Sequence, residues 1–331
     1  MKAMLMSRTG PADVLALCDI PEPVLTESTQ IKVRLRAAGV NPIDTKIRRN
    51  GLLGTGQLPA ILGCDGAGEV IEMGSEVDRF CIGDRVWFCH GGLGIEPGND
   101  AEITVLDQCW AAPMPQSLDF VHAAAGPLVL ITAWGMLYDR GRLQAGQTAL
   151  IHAGAGGVGH VALQLAKLRG ARVITTVGSA ENAALAKDWG ADEVINHREQ
   201  DFVAEVNRLT DGQGADLVAE MVSVEVFTRS IGCTAHFGDL VTLLDPGNSP
   251  LAEARLRNLR IGFELMLTPQ LSRLTAAREH QINILRQCSE LIDRGQLSLH
   301  VSRTLPLEQA AEAHRQLEMG HTVGKCVLTM D

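Results

Sequence analysis

From Thr148 to Ser179 the chain reads as strand, glycine turn, helix and second strand. Thr148-Ala149-Leu150-Ile151-His152-Ala153 is an apolar run too short for a helix, and it leads straight into Gly154-Ala155-Gly156-Gly157-Val158-Gly159, whose glycines have the G-x-G-x-x-G spacing. Each glycine has a physical task in a dinucleotide-binding turn. Gly154 permits the tight turn, Gly156 lets a pyrophosphate approach the backbone, and Gly159 lets the helix pack close to the strand. Gly157 and Val158 open the helix, whose free N–H groups and partial positive charge suit phosphate. Apolar residues then recur at helical spacing (Val161, Ala162, Leu165, Ala166, Leu168) until Gly170, and Arg172 to Val177 begins a β-branched run. This placement inside a βαβ unit makes the pattern a nucleotide site rather than an incidental glycine loop.

The end of the second strand bears on which dinucleotide is held. NAD-preferring sites place Asp or Glu there to hold the ribose 2′-hydroxyl, whereas an NADP site leaves the position uncharged or basic. Here the strand ends Val177-Gly178-Ser179, and no carboxylate follows until Glu181. The reading is NADPH. Ser179 also suits the N-cap of the helix that starts near Glu181, a role compatible with phosphate binding.

The chain has 331 residues, enough for two domains with separate cores, and its net charge of −10 argues against nucleic acid or an anionic membrane as the main partner. No signal peptide or membrane span is expected, so the protein reads as cytoplasmic. The 8 cysteines include no C-x-x-C pair and read as reduced thiols. The first third is β-rich: Ile31 to Arg36 alternates apolar and basic residues, Gly39 to Pro42 reads as a turn, and short strands are expected at Gly68 to Met73, Arg85 to Cys89 and Ala101 to Leu106. Phe120 to Leu137 reads as a buried helix broken at Pro127. From Thr148 strands and helices alternate, which predicts a parallel sheet covered on both faces. Helices 278–294 and 307–319 and strands near Val301 and Lys325 to Leu328 complete the prediction.

Those residues resemble the medium-chain dehydrogenase/reductase superfamily, and within it the zinc-independent NADPH:quinone oxidoreductase branch, the zeta-crystallin group. The resemblance spans the whole chain. It is carried by Ala38 to Arg48, Leu62 to Val70, Gly83-Asp84-Arg85-Val86, Thr132-Ala133-Trp134, His152 to Gly159, Leu185 to Asp192 and the closing His321-Thr322-Val323-Gly324-Lys325. It implies an α/β protein: a GroES-like, β-rich catalytic domain from 1–120 and 269–331, with a Rossmann NADP-binding domain of doubly wound parallel sheet, 121–268, between them.

The same resemblance implies roles. Zinc alcohol dehydrogenases of the superfamily hold their catalytic metal at the positions of Asn41, Cys64 and about Leu128, and this set does not supply three zinc ligands, so no metal is expected. Cys64 is then either a thiol near the active site or a packed turn residue. Asn41 is implied beside the nicotinamide ribose and substrate oxygen, with Asp44 and Lys46 lining the same cleft as catalytic candidates. Lys46 stands where relatives often have tyrosine, and it reads either as a proton donor or as a surface lysine. Thr132 is implied on the nicotinamide side, Lys325 among the coenzyme-binding residues, and Asn182 and His197 at positions where relatives grip the adenosine phosphate, with Arg198 an available cation. The implied activity is zinc-free reduction of quinones or related conjugated carbonyls. Alternatives are an enone, alkenal or enoyl-thioester reductase, and an NADPH-binding protein with little turnover. A homodimer through the edge near Arg260 is also implied.

Overall fold

The computed structural model describes residues 1–320 and 322–330. The chain divides into two compact units, one from Met1–Val129 with Leu267–Asp331, the other Leu130–Met266.

The second unit is built on six strands in the order Glu193–Asn196, Arg172–Val177, Thr148–Ile151, Ala215–Glu220, Thr234–Thr242, Arg260–Phe263, and every neighbouring pair is parallel. The order runs outward from Thr148–Ile151 in one direction and then, from Ala215–Glu220, in the other. Connections therefore leave the sheet on opposite sides at that pair, and the carboxyl ends of the two strands open a crevice of the kind that receives nucleotides. The core between sheet and helices joins Leu150, Ile174, Ile195, Val218 and Leu240 from strands to Phe202, Val206 and Phe227 from helices. The β-branched run Arg172 to Val177 is a strand over its whole length, buried on both faces as a parallel strand must be. The helix Gly157–Leu168 stops before Gly170, whose φ of 81° closes it.

The first unit holds a sheet in the order Val301–Pro306, Lys325–Thr329, Gln30–Val40, Asp65–Met73, Arg85–Cys89, Ala112–Pro113, with Ile103–Asp107 also paired to Gln30–Val40. A second sheet of Leu15–Asp19, Lys2–Met6 and Ala60–Ile61 is antiparallel. Both contribute to the GroES-like architecture, so the fold class expected from the sequence is the one observed.

One local reading changes. Gly39 to Pro42 is not a turn: the strand continues through Val40, held by antiparallel pairing to Cys326, and Pro42 begins the helix Pro42–Asn50 after one extended residue, Asn41. Proline is pre-organised for the first helical position, and Gly39 is bare because a Cβ there would overlap the carbonyl of Ala124. Phe120 to Leu137 is helical with the expected break at Pro127: Phe120–Ala124, then Pro127–Trp134, continued as a π-helix over Gly135–Arg140.

Phe227 is fully buried in the core of the second unit. Phe227→Ala should lower the stability of that unit by about 3–5 kcal/mol, read by chemical denaturation.

Candidate functional site

The glycine turn has the geometry its sequence requires. Ala153 sits at φ 53°, and its carbonyl accepts from Gly156 N–H at 2.9 Å, closing the turn. A Cβ at Gly159 would overlap that same carbonyl, and one at Gly154 would overlap the Thr175 hydroxyl, so these two glycines are fixed by packing of helix and strand. Gly156 is different. It has an ordinary φ of −79° and its missing Cβ would meet nothing closer than Ala153 O at 3.2 Å, so its bareness serves the open side of the turn. Gly157 and Val158 begin the helix there, half-buried, with their N–H groups in its unsatisfied first turn.

At the end of the neighbouring strand, Ser179 caps the helix Ala180–Asp188, its hydroxyl accepting from Asn182 N–H at 3.2 Å. Over Gly178, a Cβ would stand 3.2 Å from His197 Nε2 and 3.4 Å from Arg198 Nε. Gly178, Ser179, His197 and Arg198 are thus brought together, with two basic side chains at the strand end and the Glu181 carboxylate, from the first turn of the helix, bonded to the Ser179 hydroxyl. Thr132 is buried in the helix Pro127–Trp134.

In the first unit the structure gathers a buried polar cluster. Asn41 is fully buried, and its Nδ2 donates to Asp65 Oδ2 at 2.9 Å and to Gly39 O at 3.2 Å, while Oδ1 accepts from Lys325 Nζ. Lys325, 3% exposed, also donates to Val40 O at 3.1 Å and lies 3.5 Å from Asp65 Oδ2. Asp65 Oδ1 accepts from Leu128 N–H at 2.8 Å. Asp44 takes Asn41 N–H on Oδ2 at 2.8 Å and the Cys64 thiol on Oδ1 at 3.6 Å. Burial first, and then the nearby Asp100, push the Asp44 carboxyl well above the usual carboxylate range. Burial likewise raises Asp65, with Lys325 pulling it back. Lys46 is not in this cluster. Two residues beyond Asp44 on one helix, it points elsewhere and is exposed. His321, which opens the closing motif, lies outside the described residues.

Sequence reasoning gave no role to Asp65 or Asp100. Asp100 is 1% exposed, its Oδ2 has no hydrogen-bond partner, and burial pushes its carboxyl up to about 7. Its signal in the sequence was faint: Gly63, beside which the Asp100 carboxylate is packed, admits no side chain. Arg278 was also missed. It donates to His90 Nδ1 at 2.6 Å and stacks on Trp110, tying a distant helix to the loop that follows His90.

Residues 27–116 match the alcohol dehydrogenase GroES-like domain, and residues 189–328 the zinc-binding dehydrogenase family. A quinone oxidoreductase of Pseudomonas aeruginosa is 36% identical over 99% of both chains. The chain belongs to the medium-chain dehydrogenase/reductase superfamily, in its quinone oxidoreductase branch. Among solved structures, Escherichia coli quinone oxidoreductase complexed with NADPH aligns over the whole of both chains at 30% identity and TM-score 0.87. An NAD-dependent alcohol dehydrogenase does so at 34% identity and TM-score 0.90. Like the branch it belongs to, the chain is an oxidoreductase.

The superfamily includes zinc enzymes, and the residues at the implied metal positions do not fit the ion. Asn41 gives its amide oxygen to an ammonium and Leu128 offers an N–H rather than a lone pair, which leaves the Cys64 thiol alone among the three positions. Among the described residues no group of three or more His, Cys, Asp or Glu is placed to hold a metal.

Two outcomes follow. Gly156→Val should leave the melting temperature unchanged and weaken coenzyme binding by about tenfold or more, whereas Gly159→Ala should destabilise the fold itself; calorimetry and fluorescence titration separate the two effects. Asp100 keeps its proton more tightly folded (about 7) than unfolded (3.8), so the stability it contributes is present at acid pH and lost as pH rises towards 7. Asp100→Asn should therefore raise stability at pH 8 by up to about 4 kcal/mol and do little at pH 4, as melts at both pH values would show.

Proposed function

We propose that the protein is an NADPH-dependent reductase that transfers hydride to quinones or related conjugated carbonyls without zinc. The observation that carries the coenzyme choice is the bare Gly178 with His197 and Arg198 beside it: a 2′-phosphate there meets two basic groups, which outnumber the one carboxylate nearby, Glu181, bonded to the Ser179 hydroxyl. The turn Gly154 to Gly159 and the helix start at Gly157 and Val158 hold the diphosphate. Bound nicotinamide supplies the hydride, and the chain's residues orient and exclude water. Asn41 serves the nicotinamide end in this reading. Asp44, whose carboxyl retains a proton to unusually high pH, is the better proton donor than the exposed Lys46.

Among the described residues no helix is long and apolar enough to cross a membrane, in keeping with a cytoplasmic enzyme on a small-molecule substrate. Arg260–Phe263 is the outermost strand of its sheet, with Phe263 58% exposed, and a homodimer would pair that edge, a state that light scattering reads.

Steady-state oxidation of NADPH and NADH with a panel of ortho- and para-quinones, alkenals and enoyl thioesters tests the reading. Quinones should be the best acceptors. Arg198→Ala should raise KM for NADPH about tenfold while leaving that for NADH nearly unchanged. Equal use of both coenzymes by the wild type would overturn the coenzyme assignment, and tight NADPH binding without turnover would make the protein a binder.

A further inference from the structure

Lys325 is among the residues that resemblance implies for coenzyme binding, yet the structure closes it off. An ammonium has three hydrogens, and all three of Lys325's directions are occupied inside the protein, by Val40 O, Asn41 Oδ1 and Asp65 Oδ2. The residues that answer to the metal positions of zinc relatives converge on this same centre. Asn41 bonds both Lys325 and Asp65, Leu128 N–H bonds Asp65, and Cys64 is the next residue to Asp65.

We propose that Lys325 is a positioning residue, a built-in cation that stands in place of a metal and fixes the orientation of the Asn41 side chain. Lysine only donates, so the amide oxygen of Asn41 must face it, and the amide's NH2 must then face Asp65 and Gly39. Asp65 in turn is held by Leu128 N–H. Removing the ammonium leaves the buried Asn41 oxygen without its donor and the Asp65 carboxylate without its counter-ion, and the amide is then free to turn over.

The inference rests on the reading above that Asn41 lies at the reacting end of the coenzyme, and the test keeps the two apart. Lys325→Met should lower kcat on the order of 10²-fold while coenzyme Kd, from fluorescence titration, changes less than about twofold. On an Asn41→Ala background the same substitution should add little further loss, because Lys325 acts through Asn41. Lys325→Arg, which keeps the charge, should recover part of kcat. In protein labelled with 15N-asparagine, the Nδ2 hydrogens of Asn41, assigned with Asn41→Ala, should exchange slowly in the wild type and quickly in Lys325→Met. If Lys325→Met does not fold, Lys325→Met/Asp65→Asn leaves no unpaired buried charge and is read by the same exchange. A rise in coenzyme Kd with kcat unchanged, or Asn41 hydrogens equally protected with and without the ammonium, would overturn the proposal. A wild type that turns over no acceptor would sink the functional reading alone, since the exchange measurement still decides the role of Lys325.

Discussion

One ion pair, Lys325 with Asp65, governs the interior of the first unit. Removing an ammonium and a carboxylate from water costs several kcal/mol for each ion, and the attraction between them repays this only where the remaining donors and acceptors are also satisfied. Here they are. Asn41, Val40, Gly39 and Leu128 complete the set, so the pair dictates that the strand Gln30–Val40, the start of the helix Pro42–Asn50, the strand Asp65–Met73, the strand Lys325–Thr329 and the start of the helix Pro127–Trp134 all meet at one place. Apolar packing alone would tolerate small slips among these elements. A charge that must find its partner does not.

The second unit obeys a different constraint, close approach of backbone. Gly154, Gly156 and Gly159 look alike as letters, but two are bare so that helix and strand can touch and one is bare towards the open side. The carbonyl of Ala153 is the shared reference point: it closes the turn at Gly156 and forbids a side chain at Gly159. A phosphate site thus arises from the same backbone geometry that joins strand to helix, which is why the motif works as a unit.

What the sequence revealed follows the range over which each feature is determined. Arg85–Cys89 and Arg172–Val177 were legible to the residue, because β-branched and aromatic content with flanking breakers is local information. Helix 278–294 was placed within a turn of the observed Thr275–Asp293. Gly39 to Pro42 misled, since Gly and Pro usually punctuate a chain; here the glycine serves an approach by Ala124, and the strand is held by pairing to Cys326, neither visible nearby in sequence. The site shows the same divide. The glycine turn could be read directly, whereas the tie between Lys325 and Asn41 spans 284 positions and has no sequence pattern of its own. Asp100, a lone acid in a loop, is distinguished only by its burial.

The strand Lys325–Thr329 lies between Val301–Pro306 and Gln30–Val40, one place in from the margin of its sheet. A ribosome delivers it after the entire second unit, Leu130–Met266, has emerged. Until then the strand Gln30–Val40 lacks one neighbour and Asp65 lacks its counter-ion, so the earliest-made part of the polypeptide waits longest for completion. The inserted unit has all its strands in one continuous segment and is free to fold first. A nascent chain that stalls before residue 325 therefore leaves the end of its first long strand, Ala37 to Val40, unpaired on one side and open to any other β-edge.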